Sequence, residues 1–408
     1  QWAASVFARY DRATVRRIAE AAADAVAEKA QEYAEWAVKE TGFGNPEHKA
    51  EKNRRCSRGI FDAYADDNYT DHVVDADSKM VAFPRPAGVV FALTPATNPV
   101  ASVAYKITLA LLTRNTIVLS PHPAARGCCA DAAHVMAAAA ERAGAPAGTI
   151  QVVAEPDMPT IETLMKSPRT DVILATGGSP MVRAAYSSGN PALGVGPGNC
   201  PAYVDRSADA AAAAKRIADS KAYDNSVLCT NESAVIAHAD IAKELHRELQ
   251  RYGVHLCDAG ERDKVAEALF PAGRLNTGMI GKSATWIAEQ CGIRVKRDTR
   301  VIGVPLERIG DDYPLSREKL CPVLGLYTVS SLPAAISAAQ AMVRKSGDGH
   351  SAAVHASDPE VVLHFGDAIK VLRVAVNAGC STGASGFDTY LPPTMTVGTG
   401  FYGRSSAA

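Results

Sequence analysis

The sequence predicts an α/β protein made of two doubly wound lobes, each a parallel sheet covered by helices. Two observations predict it. From residue 89 onward, short apolar runs alternate with helical stretches, the rhythm of βαβ units. A second alternating set begins near residue 205, after two glycine-rich segments. The 408 residues suffice for two or three domains with large cores. At 47% hydrophobic, 21% charged and net charge −1, the composition is that of a globular protein. It offers no basic excess for nucleic acid or an anionic membrane. No apolar run reaches membrane-spanning length, and no signal peptide opens the chain. The first residue is Gln1 rather than Met, so an upstream stretch is expected to be cut or disordered. Nine cysteines are scattered with no C-x-x-C, and only Cys128 and Cys129 are adjacent. Neither a disulfide framework nor a zinc or other metal site is expected. Free thiols in that number fit the reducing cytoplasm.

Residues 11–41 read as one long helix. Val15, Ile18, Ala22, Val26, Ala30, Tyr33 and Ala37 recur at spacings of three and four, with Asp11 placed to cap the start and Gly42 the end. Asn45 and Pro46 open another helix, Asn as cap and Pro in the first turn. Residues 72–86 mix polar and β-branched positions and are expected to form a protruding hairpin. Strands are predicted at 89–93, 116–120, 150–153 and 171–175, with helices at 100–112 and 126–143. Such a sheet binds ligands beyond the carboxyl ends of its strands. Three polar or glycine-rich segments fall there: 94–99, 120–123 and 176–180. In the second set, Ser207 is placed to cap an alanine-rich helix to about Ala222. Strands are predicted at 234–237, 323–327, 352–355 and 371–376, and helices at 241–252, 261–269, 282–290 and 333–344. Cys229 lies at the join of the two sets, a usual place for an active site.

Each candidate residue has a plain reading beside a chemical one. Cys229, between Leu228 and Thr230, is either a buried inert thiol or a nucleophile; a thiolate attacks readily and leaves again from a thioester. Thr176, Gly177 and Gly178 follow a strand and precede a helix, which suits either a tight turn or a phosphate cradle at a helix N-terminus. Gly194, Gly196 and Gly198 with Pro197 demand an irregular backbone. Asn98 before Pro99 is a turn former or an amide donor to an oxyanion. His122, between two prolines, is a turn residue or a cofactor or substrate contact. Taken alone, Glu318 reads as a solvated charge and His350 as structural.

Together these segments resemble a known family. Leu93 to Pro99, Thr113 to Asn115 with Ser120 to Pro123, Ile173 to Gly178, Ala184 to Gly189, Gly194 to Asn199, and Glu318 to Leu320 with Pro322 to Leu324 are similar to CoA-acylating aldehyde dehydrogenases. The resemblance runs over nearly the whole chain. It implies an aldehyde dehydrogenase-like fold, with the active site between two lobes and a small oligomerisation hairpin. The implied domains are 1–200 (helices and dinucleotide binding, with the hairpin at about 72–86), 201–385 (catalytic) and 386–408 (a C-terminal return). It implies the reversible reaction of an aldehyde, CoA and NAD or NADP to an acyl-CoA and reduced cofactor.

By the same resemblance Cys229 is the nucleophile, and Asn98 with the Cys229 backbone N–H holds the oxyanion. Thr176, Gly177 and Gly178 lie along the cofactor and Glu318 reaches its ribose. Thr94, Pro95, Ser120, His122, Pro123, Val195 and Gly196 complete the expected cofactor-binding set. His350 sits near the active site. Arg344 and Lys345, just before it, are either a basic helix end or a lure for an anionic aldehyde such as sulfoacetaldehyde. The family further implies a homodimer or homotetramer, joined by the hairpin and a C-terminal strand, and includes enzymes of shell microcompartments. This chain stops soon after Gly400 to Gly403, so that strand is expected to be missing or disordered.

One departure separates two reactions. Hydrolytic aldehyde dehydrogenases carry a glutamate general base where this chain has Val195, and a valine takes no proton from water. A general base contributes about 10²- to 10⁴-fold. Without one the thioester waits for a thiol such as CoA. The competing readings are a hydrolytic aldehyde dehydrogenase and a non-catalytic nucleotide-binding scaffold on the same fold. NAD and NADP both remain open, since Pro123 stands where relatives place a ribose-binding acid and Arg126 follows it.

Overall fold

The computed structural model describes residues 1–310 and 312–399, except for the side chain of Lys345. The chain divides into two compact units, with the boundary at Gly194 and Val195. The first unit opens with helices α1 (Trp2–Phe7), α2 (Arg12–Glu28), α3 (Ala30–Thr41), α4 (Pro46–Cys56) and α5 (Arg58–Tyr64). A separate antiparallel hairpin follows, β1 (Val73–Asp75) and β2 (Met80–Ala82). Then come β3 (Val89–Thr94), α6 (Pro99–Leu112), β4 (Thr116–Pro121), α7 (Arg126–Arg142), β5 (Ile150–Val152), α8 (Met158–Lys166), β6 (Val172–Thr176), α9 (Ser179–Tyr186) and β7 (Ala192–Val195).

These five strands form one sheet in the order β5-β4-β3-β6-β7. β3 is parallel to both β4 and β6, and the winding reverses between β3 and β6. β3 is apolar at nearly every position because both its faces are covered. Helix α6 is buried almost all round and packs against α2, α4 and α7.

The second unit contains β8 (Cys200–Val204), α10 (Ala210–Ala222), β9 (Glu232–His238), α11 (Ala239–Arg251), β10 (Val254–Leu256), α12 (Ala259–Leu269), α13 (Ala284–Gln290) and β11 (Val301–Pro305). It continues with β12 (Val323–Val329), α14 (Leu332–Lys345), β13 (Ser351–His355), α15 (Pro359–Ala368), β14 (Arg373–Val376) and α16 (Cys380–Ala384). Its seven strands are parallel, in the order β10-β11-β12-β9-β8-β13-β14. Apolar clusters fill both faces of this sheet.

Several expectations need correction. The predicted helix over 11–41 is two helices, broken at Lys29 (φ −94°, ψ 13°). Val26, Ala30 and Tyr33 stay buried across the break, so the apolar spacing does not register it. Asp209, not Ser207, caps α10 by accepting from Ala212 N–H at 3.0 Å. Ser207 is taken elsewhere, its Oγ accepting from the N–H of Ser357 and Asp358. Strands β7, β8, β10 and β11 and helices α1, α5, α8, α15 and α16 were not anticipated. The glycines at 194 and 198 do not have positive φ, so they are not there for an irregular backbone. At Gly194 an added Cβ would lie 2.4 Å from Val182 Cγ1, so the reason is close packing. Residues 400–408, after which the C-terminal strand was expected to be missing or disordered, lie outside the described residues.

Candidate active site

In the first unit, the candidate residues gather at the carboxyl ends of β3, β4 and β6. Lys106 of α6 ties two of those ends together. Its ammonium donates to Leu93 O at 2.6 Å, Leu174 O at 3.0 Å and Thr176 Oγ1 at 3.0 Å. Burial pushes its pKa down to about 7. The three acceptors hold β3 and β6 in register where the winding reverses, the crevice in which such sheets bind ligands.

Beyond β6, Gly177 and Gly178 lead into α9. A Cβ added at either would come no nearer than 3.8 Å to its surroundings, and neither has a positive φ. Internal packing therefore gives no reason for two glycines. Room for a ligand against the backbone, at the N-terminus of α9, does give one, and the residues fit a nucleotide cofactor. The Thr176 hydroxyl itself is committed to Lys106. At the end of β4, Ser120 Oγ is buried without a hydrogen-bond partner among the described residues. His122 is exposed, and its Nδ1 accepts from Ala124 N–H at 3.1 Å in the turn after β4. Arg126 is paired with Glu155, at 2.6 Å. Thr94 is buried and Pro95 half-buried at the end of β3.

Asn98 is the N-cap residue of α6, but its side chain makes no cap hydrogen bond there. It is buried, and its Oδ1 accepts from Lys52 Nζ. That contact assigns the amide's orientation and makes the NH₂ end the donor, which reaches Thr97 Oγ1 at 3.3 Å. Lys49 donates to Thr97 O at 2.9 Å. Neither lysine was foreseen. Both lie in α4, whose sequence is mostly charged and reads as a solvated helix.

In the second unit, the candidates come from segments that precede four neighbouring strands. Gly198 precedes β8, Cys229 precedes β9, Glu318 precedes β12 and His350 precedes β13. Those strands lie side by side in the order β12-β9-β8-β13, so the four residues share the amino edge of the sheet.

Cys229 follows a turn of unusual backbone. Asp224, Asn225 and Ser226 have φ of 48°, 48° and 61°, a left-handed run without glycine. Such residues cost on the order of 1–3 kcal/mol each and persist only where neighbours enforce them. Here Asp224 Oδ1 accepts from Asn45 N–H at 2.7 Å, and Asn225 Nδ2 donates to Gly281 O at 2.9 Å. Asn231 closes the turn: its Nδ2 donates to Ser226 O at 2.8 Å and to Leu228 O. Lys221, fully buried, donates to Asn231 Oδ1 at 2.5 Å. All nine cysteines are free, eight are buried, and Cys229 alone is partly exposed.

Gly198 lies against this turn. A Cβ there would sit 2.1 Å from Cys229 O and 3.0 Å from His350 Cε1. Its N–H donates to Glu318 Oε1 at 2.9 Å. Glu318 is therefore not the solvated charge its sequence context suggests; burial pushes its pKa up to about 7. His350 is fully buried. Its Nδ1 meets Ser351 Oγ at 3.1 Å, while Nε2 has no hydrogen-bond partner among the described residues. Val195 is buried at the end of β7 and Gly196 follows it. Arg344 is exposed on the last turn of α14; the Lys345 side chain lies outside the described residues.

Residues 1–263 match the model of the "Aldehyde dehydrogenase family". The chain is 38% identical over 382 residues to an aldehyde-alcohol dehydrogenase of Streptococcus pneumoniae, which covers 91% of this chain but 43% of the relative. The chain thus spans about half the length of the first curated relatives it matches. It is 36% identical over 407 residues to a sulfoacetaldehyde dehydrogenase (acylating) of Cupriavidus necator, covering 98% of this chain and 82% of the relative. The crystal structure of an acetylating aldehyde dehydrogenase from Geobacillus thermoglucosidasius superposes with a TM-score of 0.95 at 37% identity, covering 99% of this chain and 89% of the other. By its sequence match and by its fold, the chain belongs to the aldehyde dehydrogenase family, in the acylating branch.

Proposed function

We propose that the chain is a CoA-acylating aldehyde dehydrogenase, converting an aldehyde, CoA and NAD or NADP to an acyl-CoA and reduced cofactor. The observation that carries this is the thiol of Cys229, the one cysteine of nine that is not buried, held on an enforced turn. Its thiolate attacks the aldehyde carbon, and the carbonyl oxygen becomes an oxyanion. The Asn98 amide and the Cys229 backbone N–H are the proposed donors to that oxyanion. A nicotinamide cofactor held here would supply the acceptor for the hydride of the former aldehyde carbon. Thr176, Gly177 and Gly178 would hold its phosphates at the N-terminus of α9. Thr94, Pro95, Ser120, His122 and Pro123 would line its adenosine side, with Val195, Gly196 and the Glu318 carboxylate near the ribose.

A thioester then remains on Cys229. Val195 cannot activate water, so the acyl group waits for the CoA thiol. His350 is suited to take the proton of that thiol: Ser351 occupies Nδ1, and Nε2 remains to accept. Attack by the CoA sulfur forms the new thioester, and Cys229 leaves as a thiolate.

We take the substrate to be a short aldehyde. The name of the Cupriavidus relative supports a sulfonated one, while the exposure of Arg344 at a helix end supports its plain electrostatic role there. The hairpin β1–β2 is the proposed subunit contact of a homodimer or homotetramer. Val73, Val74, Met80, Val81 and Phe83 are all at least half exposed, and a lone two-stranded hairpin needs something to pack on. The test of the activity is product analysis. An aldehyde, NAD(P)+ and CoA are expected to give acyl-CoA; carboxylate as the main product, or no reduced cofactor, would contradict the reading.

A further inference from the structure

The sequence shows no metal-binding spacing among its cysteines, yet the fold assembles a mixed donor set. His255 lies in β10, the edge strand of the seven-stranded sheet, and Cys257 follows just after that strand. The Cys257 backbone is fixed by its N–H donating to Gly303 O at 2.8 Å. Glu261 stands in the first turn of α12, held by a reciprocal cap with Asp258. One nitrogen, one sulfur and one carboxylate oxygen from these residues lie within 4.8 Å of one another. His255 Nε2 and Glu261 Oε2 are already 3.0 Å apart.

We propose that His255, Cys257 and Glu261 bind one divalent metal ion of the zinc type. Bonds of about 2.0–2.3 Å place the ligands of a tetrahedral zinc roughly 3.5 Å apart, so modest side-chain rotations close the set. The donor chemistry fits: imidazole, thiolate and carboxylate are the ligands that zinc takes. The charges also close, because a dication neutralises one thiolate and one carboxylate. Cys257 supplies a second reason. Its thiol is 8% exposed and has no hydrogen-bond partner among the described residues. The side chains of His255 and Glu261 are each 24% exposed, which leaves a path for the ion and a fourth position for water. The site is at the carboxyl end of β10, whereas Cys229 precedes the amino end of the parallel strand β9. Its role is therefore to pin the sheet edge to α12 rather than to take part in the chemistry.

The probe is Co2+, titrated into the chelator-treated full chain carrying Cys229→Ser, so that the reactive thiol does not compete. One equivalent is expected to produce a sulfur-to-cobalt charge-transfer band. Adding Cys257→Ser should abolish it, and adding His255→Gln should weaken binding at least ~10-fold. Cys291→Ser, at the neighbouring buried thiol, should leave the band in place. Absence of the band, or its survival in Cys257→Ser, overturns the proposal. If Cys257→Ser shows no cooperative unfolding by circular dichroism, His255→Gln decides, and unchanged Co2+ affinity in that variant overturns the proposal. Because the readout is spectroscopic, it is independent of the aldehyde reaction.

Discussion

The two sheets offer their candidate residues from opposite edges, and they build those edges in opposite ways. In the first unit the residues stand at the carboxyl ends of the strands. The edge is open there: Gly177 and Gly178 have room beside them, and Ser120 Oγ lacks a partner among the described residues. In the second unit they stand before the amino ends of four adjacent strands, and the edge is packed. Gly198 has Cys229 O against it, three left-handed residues precede the thiol, and Asn231 and Lys221 close the turn. In the proposed reading, a flat cofactor would use the space left beside Gly177 and Gly178. The single partly exposed thiol follows a turn whose backbone is packed and hydrogen-bonded. Glycine serves both ends, leaving room beside the backbone in one and letting two chain segments touch in the other.

Substitutions can break this contrast. The largest effect is expected at the thiol: Cys229→Ala should abolish aldehyde-dependent reduction of NAD(P)+ while cofactor binding, measured by fluorescence titration, stays intact. The other eight thiols are buried and cannot substitute for it. Asn98→Ala should lower turnover by about 10²- to 10³-fold with little change in cofactor affinity; normal turnover would reduce Asn98 to a structural residue. The two glycine loops should then separate. Gly198→Ala forces a Cβ onto the Cys229 backbone and should cost about 10²-fold in kcat, the scale of a misplaced reacting group. Gly178→Ala meets nothing inside the protein, so its effect should appear in the KM for cofactor alone. Equal kcat losses in the two variants would erase the distinction.

A smaller effect follows from Glu318. Its carboxyl is raised from 4.5 to about 7. The folded chain therefore holds this proton more tightly than the unfolded one. Its stabilising contribution is complete below about pH 4.5 and is lost as the pH rises through about 7. Glu318→Gln should thus gain on the wild type between pH 5 and pH 8, by on the order of 1–3 kcal/mol in thermal unfolding; no change in the difference would refute the raised carboxyl. The smallest effect is expected at Arg344. Arg344→Ala should alter the preference between propionaldehyde and sulfoacetaldehyde by less than about fivefold, the reach of an exposed charge. A larger change would make it a substrate contact.

Much of this was legible in the chain. The alternation from Val89 onward gave the sheet of the first unit, and the glycine and proline punctuation gave the loops that carry the candidates. The anticipated residues Gly198, Cys229, Glu318 and His350 do lie together on one edge of one sheet. What the pattern missed has physical causes. β10 is only three residues long, and β8 carries a proline, so both lacked a strand signature. Lys52, Lys106, Lys221 and Lys319 are buried, against every expectation for lysine, because each donates to oxygens that only the folded chain brings near. The carboxyl-end rule served the first sheet and gave no guidance to the second, whose candidates precede their strands.

The central claim is that the acyl group on Cys229 waits for a thiol because Val195 is no base for water. Rapid mixing of the protein with aldehyde and NAD(P)+ but no CoA tests it most directly. The account predicts one equivalent of reduced cofactor per Cys229 in a burst, then slow turnover, with rapid turnover restored when CoA is added. Fast steady-state carboxylate formation without CoA would contradict it.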